Sequence, residues 1–209
     1  MKQYRVAIAG VTGAVGQEML TTLEQRNFPI SALRVLASER SVGKTVMFRG
    51  RPHTVELLSD EAFTDIDIVL SSTSGTLSKR FSPSAVKAGA VVVDNTSAFR
   101  MDPAVPLIVP EINPDDLRRH TGIIANPNCS TIIATVPLWP LHKAFGVRRL
   151  IACTYQSVSG AGAWGIYELE EQTRAVLAGK PATPHKFPHV IAFNVFSHNS
   201  AIADNGYNE

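Results

Sequence analysis

Tyr4-Arg5-Val6-Ala7-Ile8-Ala9-Gly10-Val11-Thr12-Gly13-Ala14-Val15-Gly16 is the stretch that decides the fold. YRVAIA is a short apolar run that stops at glycine, which reads as a buried strand. Beyond the glycines, Val15, Met19 and Leu23 recur at four-residue spacing and Leu20 widens the stripe. Gln17, Glu18, Glu24, Gln25 and Arg26 occupy the other faces, so the segment predicts an amphipathic helix. A glycine loop between a strand and a helix is where a dinucleotide fingerprint belongs. Gly10 and Gly13 permit unusual dihedrals and let a phosphate approach the backbone. The N–H groups of Thr12 to Val15, including Ala14, then face the pyrophosphate, aided by the helix dipole. The spacing is G-x-x-G-x-x-G rather than G-x-G-x-x-G, and a tight turn with no ligand is the plainer alternative.

Further strands are expected at Ala32 to Ala37, Ile66 to Leu70, Val91 to Asp94, Leu107 to Val109 and Ile123 to Ala125, with a helix over Leu77 to Ala88. Val46 to Phe48 and His53 to Leu57 flank a turn at Arg49-Gly50-Arg51-Pro52. Near-continuous apolar strands alternating with helices predict an α/β fold, a Rossmann-like doubly wound parallel sheet covered on both faces. Ligands bind such sheets beyond the carboxyl ends of the strands. The polar segments Gly10–Gly16, Ser38–Ser41, Ser71–Gly75 and Asn95–Arg100 all follow strands. From Asn128 the pattern changes: a helix from Ser130 towards Lys143 that Pro137 and Pro140 kink or interrupt, a long strand from Arg148 to Gln156, a loop at Ser159-Gly160-Ala161-Gly162, and a helix over Ile166 to Ala178. The expected division is a nucleotide-binding domain at 1–127 and the beginning of an α+β catalytic and dimerisation domain at 128–209. The later part is short for an independent domain, and the expectation is a piece of a longer polypeptide.

Composition removes several function classes. The chain has 209 residues and a formal net charge of +2, with no cluster of Lys and Arg to hold nucleic acid or an acidic membrane surface. No apolar run is long enough to span a bilayer, and the N-terminus carries no signal-peptide core. Two cysteines, Cys129 and Cys153, make no disulfide framework and suit a reducing cytosol. No metal-ligand pattern is present. The histidines His53, His120, His142, His185, His189 and His198 sit in no catalytic motif and read as surface or structural residues.

Four groups of residues carry candidate chemistry. Asn126-Pro127-Asn128-Cys129-Ser130-Thr131 places a thiol in a polar turn at the start of a helix. A thiol attacks as thiolate, a helix N-terminus favours that form, and Asn128 and Ser130 are capping residues. A lone cysteine is otherwise a small buried apolar residue, which is how Cys153, inside the expected strand, is read. Ala37-Ser38-Glu39-Arg40-Ser41 closes the second strand. Its two hydroxyls and its guanidinium suit a ribose 2′-phosphate, hence NADP, with Glu39 the argument for NAD. Arg100 follows a strand and reads equally as a binder of an anionic substrate group or as a surface ion pair. Gln156, before Ser157-Val158-Ser159-Gly160, orients a carbonyl or amine, or is a turn residue.

Together these segments resemble aspartate-semialdehyde dehydrogenase. The matching pieces are GVTGAVG at Gly10–Gly16, ASERSVGK at Ala37–Lys44, VVDNTSAFRM at Val92–Met101, VPEIN at Val109–Asn113, NPNCSTI at Asn126–Ile132 and QSVSGAG at Gln156–Gly162. The resemblance implies NADPH-dependent reductive dephosphorylation of L-aspartyl 4-phosphate to L-aspartate 4-semialdehyde and phosphate by a cytoplasmic homodimer. That step leads towards lysine, by way of diaminopimelate, and towards threonine, methionine and isoleucine. It implies that Cys129 forms an acyl thioester, that Arg100 binds phosphate, and that Gln156 orients substrate. It also implies cofactor contacts at Gly10, Thr12, Gly13, Ala14, Val15, Ser38, Arg40, Ser41, Ser159 and Gly160, and places Asn95 near the active site. Ser72-Thr73-Ser74-Gly75 departs from the family's Ser-Ala-Gly-Gly. The family's general-base histidine, and the residues that hold the substrate amine and carboxylate, lie in a later segment, so these 209 residues alone are expected to be inactive. N-acetyl-glutamyl-phosphate reductases share the chemistry but resemble Asn-Pro-Gly-Cys-Tyr at the cysteine, where this chain has Asn128 and Ser130. A non-catalytic, cofactor-binding or dimer-forming relative is the alternative from another class.

Overall fold

A computed structural model describes residues 2–197 together with Asp204 and Gly206; His198 lies outside the described residues. The chain divides into two compact units, Met1–Thr154 and Tyr155–Glu209.

The first unit is built on a six-stranded, all-parallel sheet. Its strands are β1 (Tyr4–Ala9), β2 (Ile30–Ala37), β5 (Glu56–Leu57), β6 (Ile68–Ser71), β7 (Val91–Asp94) and β8 (Ile123–Ala125), in the order β5-β2-β1-β6-β7-β8. β3 (Thr45–Phe48) and β4 (Arg51–Thr54) form a separate antiparallel hairpin. Arg49 and Gly50 at its tip have φ of 50° and 69°, the two left-handed residues that suit a twisted hairpin. The expected strand from His53 to Leu57 is therefore split: Arg51 to Thr54 pairs with β3, while Glu56 and Leu57 cross to the edge of the main sheet beside Leu36 and Ala37.

Period-two alternation explains why the strands read as continuous apolar runs. In β1, Ala7 and Ala9 face one core with Leu36, Val69, Val92, Phe81 and Ala85. Ile8 faces the other core with Val35, Ala37 and Leu20. Helices α1 (Ala14–Gln25) and α2 (Gly75–Lys87) thus join opposite cores. Each buried Ile, Leu, Val or Phe contributes on the order of 1.5–3 kcal/mol relative to exposure.

Strand order reverses direction at β1: β2 lies on one side and β6 on the other. The crevice at this switch point is where a doubly wound sheet receives its ligand. The glycine loop sits there.

Beyond β8 the expectations fare differently. α3 (Cys129–Phe145) runs through both Pro137 and Pro140 without a break. The carbonyls of Ile133 and Val136, four residues before each proline, lose an N–H partner. α3 buries none of its residues, so water can reach them. Arg148 to Gln156 is not a strand: no ladder includes it, and Leu150, Ile151 and Tyr155 are exposed. A strand requires a neighbour for its backbone groups, and none is present among the described residues. Cys153 is consequently exposed, not a buried structural thiol. Leu107 to Val109 is reduced to one bridge, Leu107 with Ala125.

The second unit holds a short 3-10 turn at Val158–Ala161 and helix α4 (Ala163–Leu177). Its order comes from two buried polar side chains on one face of α4. Glu168 accepts the backbone N–H groups of His185, at 2.9 Å, and Lys186, while Gln172 Oε1 accepts those of Ile191 and Ala192 at 2.7 and 3.3 Å. Gln172 Nε2 donates to Glu168 Oε1 at 2.8 Å. Burial pushes the Glu168 carboxyl up, but the backbone N–H groups of His185, Lys186 and Phe187 outweigh that and hold it below the usual carboxylate range.

Candidate active site

The glycine loop is shaped by contact rather than by composition. Gly10 has φ +86°, and a Cβ there would meet the backbone oxygen of Ser72 at 2.9 Å. Ser72 is bound tightly to this turn: its Oγ donates to the carbonyls of Ala9 and Gly10 at 3.1 and 3.3 Å. The segment departing from Ser-Ala-Gly-Gly therefore supplies the switch-point partner of the loop. Gly13 has an ordinary extended conformation, φ −79°, so the expectation of unusual dihedrals there is corrected. Gly16 is the second obligatory glycine: a Cβ would overlap the Gly10 carbonyl and sit 2.7 Å from Val11 Cα. Its signal was its place in the fingerprint, where a helix must pack closely on its own loop. No side chain caps α1, which leaves its first-turn N–H groups available to an anion.

Thr12 links this loop to the end of β2, its Oγ1 donating to Ser41 Oγ at 3.3 Å. Ser41 is buried, held by its N–H to the Ser38 carbonyl at 2.8 Å; Ser38, Glu39 and Arg40 are exposed. Half-exposed Thr12 and Ala14, exposed Val15, and the Ser38–Ser41 turn thus lie at the carboxyl ends of β1 and β2.

A polar network organises the ends of β7 and β8. Asp94 is fully buried, and its two oxygens accept the N–H and hydroxyl of Thr96 at 3.0 and 2.8 Å. Thr96 Oγ1 in turn accepts the Ala98 N–H at 3.0 Å. This turn brings half-buried Arg100 back towards the sheet, where its Nε donates to the Asn126 carbonyl at 3.0 Å and its Nη2 to the Asn95 carbonyl at 3.1 Å. Arg100 is therefore not a surface ion pair: the groups it binds are carbonyls. Asn126 Nδ2 also donates to Asn95 Oδ1 at 2.8 Å. The sequence alone assigns no role to Asp94, Thr96 or Asn126, because those roles depend on pairing across two strands.

Asn128 caps α3, its Oδ1 accepting the Ser130 N–H at 3.0 Å. Cys129 is the first residue of that helix, exposed, with Sγ 3.9 Å from the same Oδ1. A helix start attracts negative charge to this position. In the second unit, Gln156 is exposed, outside any strand, and Ser159 donates from N and Oγ to Ser157 Oγ at 3.4 and 3.2 Å beside Gly160. A groove of about 620 Å³ on that unit is lined by Trp164, Tyr167, Glu168, Glu171, Gln172 and His185 among others, and contains none of the candidate cofactor or substrate residues. Among the described residues no group of His, Cys, Asp or Glu could hold a metal ion.

The semialdehyde dehydrogenase NAD binding domain matches residues 5–120, and the semialdehyde dehydrogenase dimerisation domain matches residues 138–209. The chain belongs to the semialdehyde dehydrogenase family. Within the family it is 51% identical over 205 residues to the aspartate-semialdehyde dehydrogenase of Synechocystis sp., covering 98% of this chain and 61% of that protein. It is 49% identical over 209 residues to the Bacillus subtilis enzyme of the same name, covering 97% and 60%. Among solved structures, aspartate semialdehyde dehydrogenase II of Vibrio cholerae, complexed with ASA, superposes with a TM-score of 0.95 at 46% identity over 100% of this chain and 63% of that one. A Candida albicans aspartate semialdehyde dehydrogenase with NADP gives a TM-score of 0.60 at 26% identity over 70% and 48%. The chain thus spans about 60% of the length of the curated relatives it matches.

Proposed function

We propose that the polypeptide to which these residues belong is an NADP-dependent aspartate-semialdehyde dehydrogenase. In the biosynthetic direction it converts L-aspartyl 4-phosphate to L-aspartate 4-semialdehyde and phosphate. The observation that carries this reading is the junction of three strand ends: a dinucleotide-type loop at β1, a carbonyl-braced arginine beyond β7, and a capped thiol beyond β8. Identity near 50% to enzymes of that name supports it.

The residues fit the cofactor. Gly10 and Gly16 clear the approach to an uncapped helix end, with Thr12, Gly13, Ala14 and Val15 around it. Ser38, Arg40 and Ser41 supply the polar and cationic groups that a 2′-phosphate requires, and Ser159 and Gly160 are cofactor residues by resemblance to the family. When bound, the dinucleotide supplies or accepts a hydride at the substrate carbonyl carbon. Cys129 does the covalent work. Its thiolate attacks the acyl carbon, an S–C bond forms, the C–O bond to phosphate breaks, and phosphate leaves with the electron pair. Arg100 holds the departing phosphate, and Gln156 orients the acyl group. After reduction the C–S bond breaks, releasing the aldehyde and restoring the thiolate.

Residues 1–127 carry the cofactor and 128–209 begin the catalytic and dimerisation domain, in a cytoplasmic homodimer serving the aspartate-derived amino acids. Among the described residues no helix is long and apolar enough to cross a membrane. The test is a phosphate-dependent assay of NADP reduction by L-aspartate 4-semialdehyde. The complete polypeptide is expected to turn over, and the 209-residue chain to show no turnover. Preference for N-acetyl-glutamate semialdehyde, or turnover by the 209-residue chain, contradicts the reading.

A further inference from the structure

We infer that the Asn95–Asn126 side-chain pair is a positioning clasp, which fixes Arg100 in register with the turn that carries Cys129. Asp94 pairs with Ala125 across β7 and β8, and the Asn126 N–H donates to the Asp94 carbonyl at 3.1 Å. Asn95 and Asn126 are thus the first residues past two adjacent strand ends. Their amide–amide bond, 2.8 Å, carries the connection one step beyond the sheet through side chains. The backbones of these two residues receive Arg100: Asn126 accepts from Nε and Asn95 from Nη2.

The chemistry of this brace is specific. A carboxylate would neutralise the guanidinium, whereas two carbonyls orient it and leave its charge uncompensated. Of the five guanidinium N–H groups two are used, so three remain for an oxyanion. Asp94, next to Asn95, has both oxygens engaged by Thr96. Downstream, Pro127 restricts the chain between the clasp and Asn128, which caps the helix beginning at Cys129. Freeing the Asn126 side chain would let the two strand ends, and with them the two carbonyls, drift apart. Asn126 is therefore a positioning residue acting through Arg100.

This rests on the reading of Arg100 as the phosphate binder. The test uses the complete polypeptide in the oxidative direction, with inorganic phosphate and NADP as varied substrates. Arg100→Ala is expected to raise the phosphate KM roughly thirtyfold or more. Asn126→Ala is expected to raise it roughly five- to tenfold while the NADP KM stays within about twofold. Asn95→Ala breaks the same bond from the other strand and should match it; it also serves if Asn126→Ala does not fold. In the Arg100→Ala background, Asn126→Ala should add less than about twofold. An Asn126→Ala effect that raises both KM values together, or that multiplies in full without Arg100, overturns the clasp and leaves the phosphate assignment standing. An unchanged phosphate KM in Arg100→Ala overturns that assignment, and the clasp with it.

Discussion

The sheet from β1 to β8 and the chain from Cys129 onward are both rich in apolar residues, yet they are ordered by different means. In the sheet, Val6, Ala7, Ile8, Val35, Leu36, Val69 and Val92 are nearly or wholly buried, in two cores on opposite faces. α3 is apolar along most of its length and buries nothing; Ile133 is 73% exposed and Phe145 83%. In the second unit the order around α4 comes from carboxylate and amide groups bonded to backbone N–H. Apolar composition therefore stabilises only where a second surface meets it. Around α4, buried polar groups set the conformation instead.

The strongest way to break this contrast is a pair of substitutions in the 209-residue chain. Leu36→Ala, at a fully buried position, is expected to cost about 2–5 kcal/mol. Ile133→Ala should stay within about 0.5 kcal/mol. Chemical denaturation checks both, and equal losses would erase the distinction.

A smaller effect is expected at Glu168. Glu168→Ala leaves the backbone N–H groups of His185 and Lys186 without their acceptor, a loss of about 1.5–3 kcal/mol local to the second unit. Hydrogen exchange should accelerate across residues 185–192 and stay unchanged in β1, β6 and β7.

The smallest effect is a surface charge on the sheet. Arg5 donates to Asp67 from its backbone N–H at 2.7 Å and from its guanidinium at 3.0 and 3.3 Å. Those side-chain and backbone bonds lower the Asp67 carboxyl to about 2. A carboxyl lowered on folding stabilises above its unfolded value, near 3.8, and that contribution is lost as pH falls towards 2. Asp67→Asn should therefore flatten the stability profile across that acid window: its cost, small because the pair is solvent-screened, is present at neutral pH and gone near pH 2.

Much of the sheet was legible because its signals are local. Tyr4 to Gly16, Val91 to Asp94 and Ile123 to Ala125 carry period, β-branching and glycine within a few residues of one another. The G-x-x-G-x-x-G spacing located the loop, though the demanding positions are Gly10 and Gly16, and Gly13 is ordinary. Features that depend on a distant partner were not legible. Arg148 to Gln156 has the residues of a strand and no neighbouring strand. Glu56 and Leu57 left the hairpin for the edge beside Leu36. Pro137 and Pro140 argue for a kink or an interruption, and α3 continues through both. In the site, Cys129 and Arg100 stood out by type, whereas Asn126 and Asp94 acquire meaning only when β7 and β8 are side by side.

We propose Cys129 as the acyl acceptor. The complete polypeptide, mixed with L-aspartyl 4-phosphate without NADPH and acid-quenched, is to be digested and its peptides weighed by mass spectrometry. An aspartyl thioester is expected on the peptide carrying Cys129, absent from Cys129→Ala, which should still bind NADP. An adduct on Cys153 or on any other residue, or steady turnover by Cys129→Ala, would contradict it.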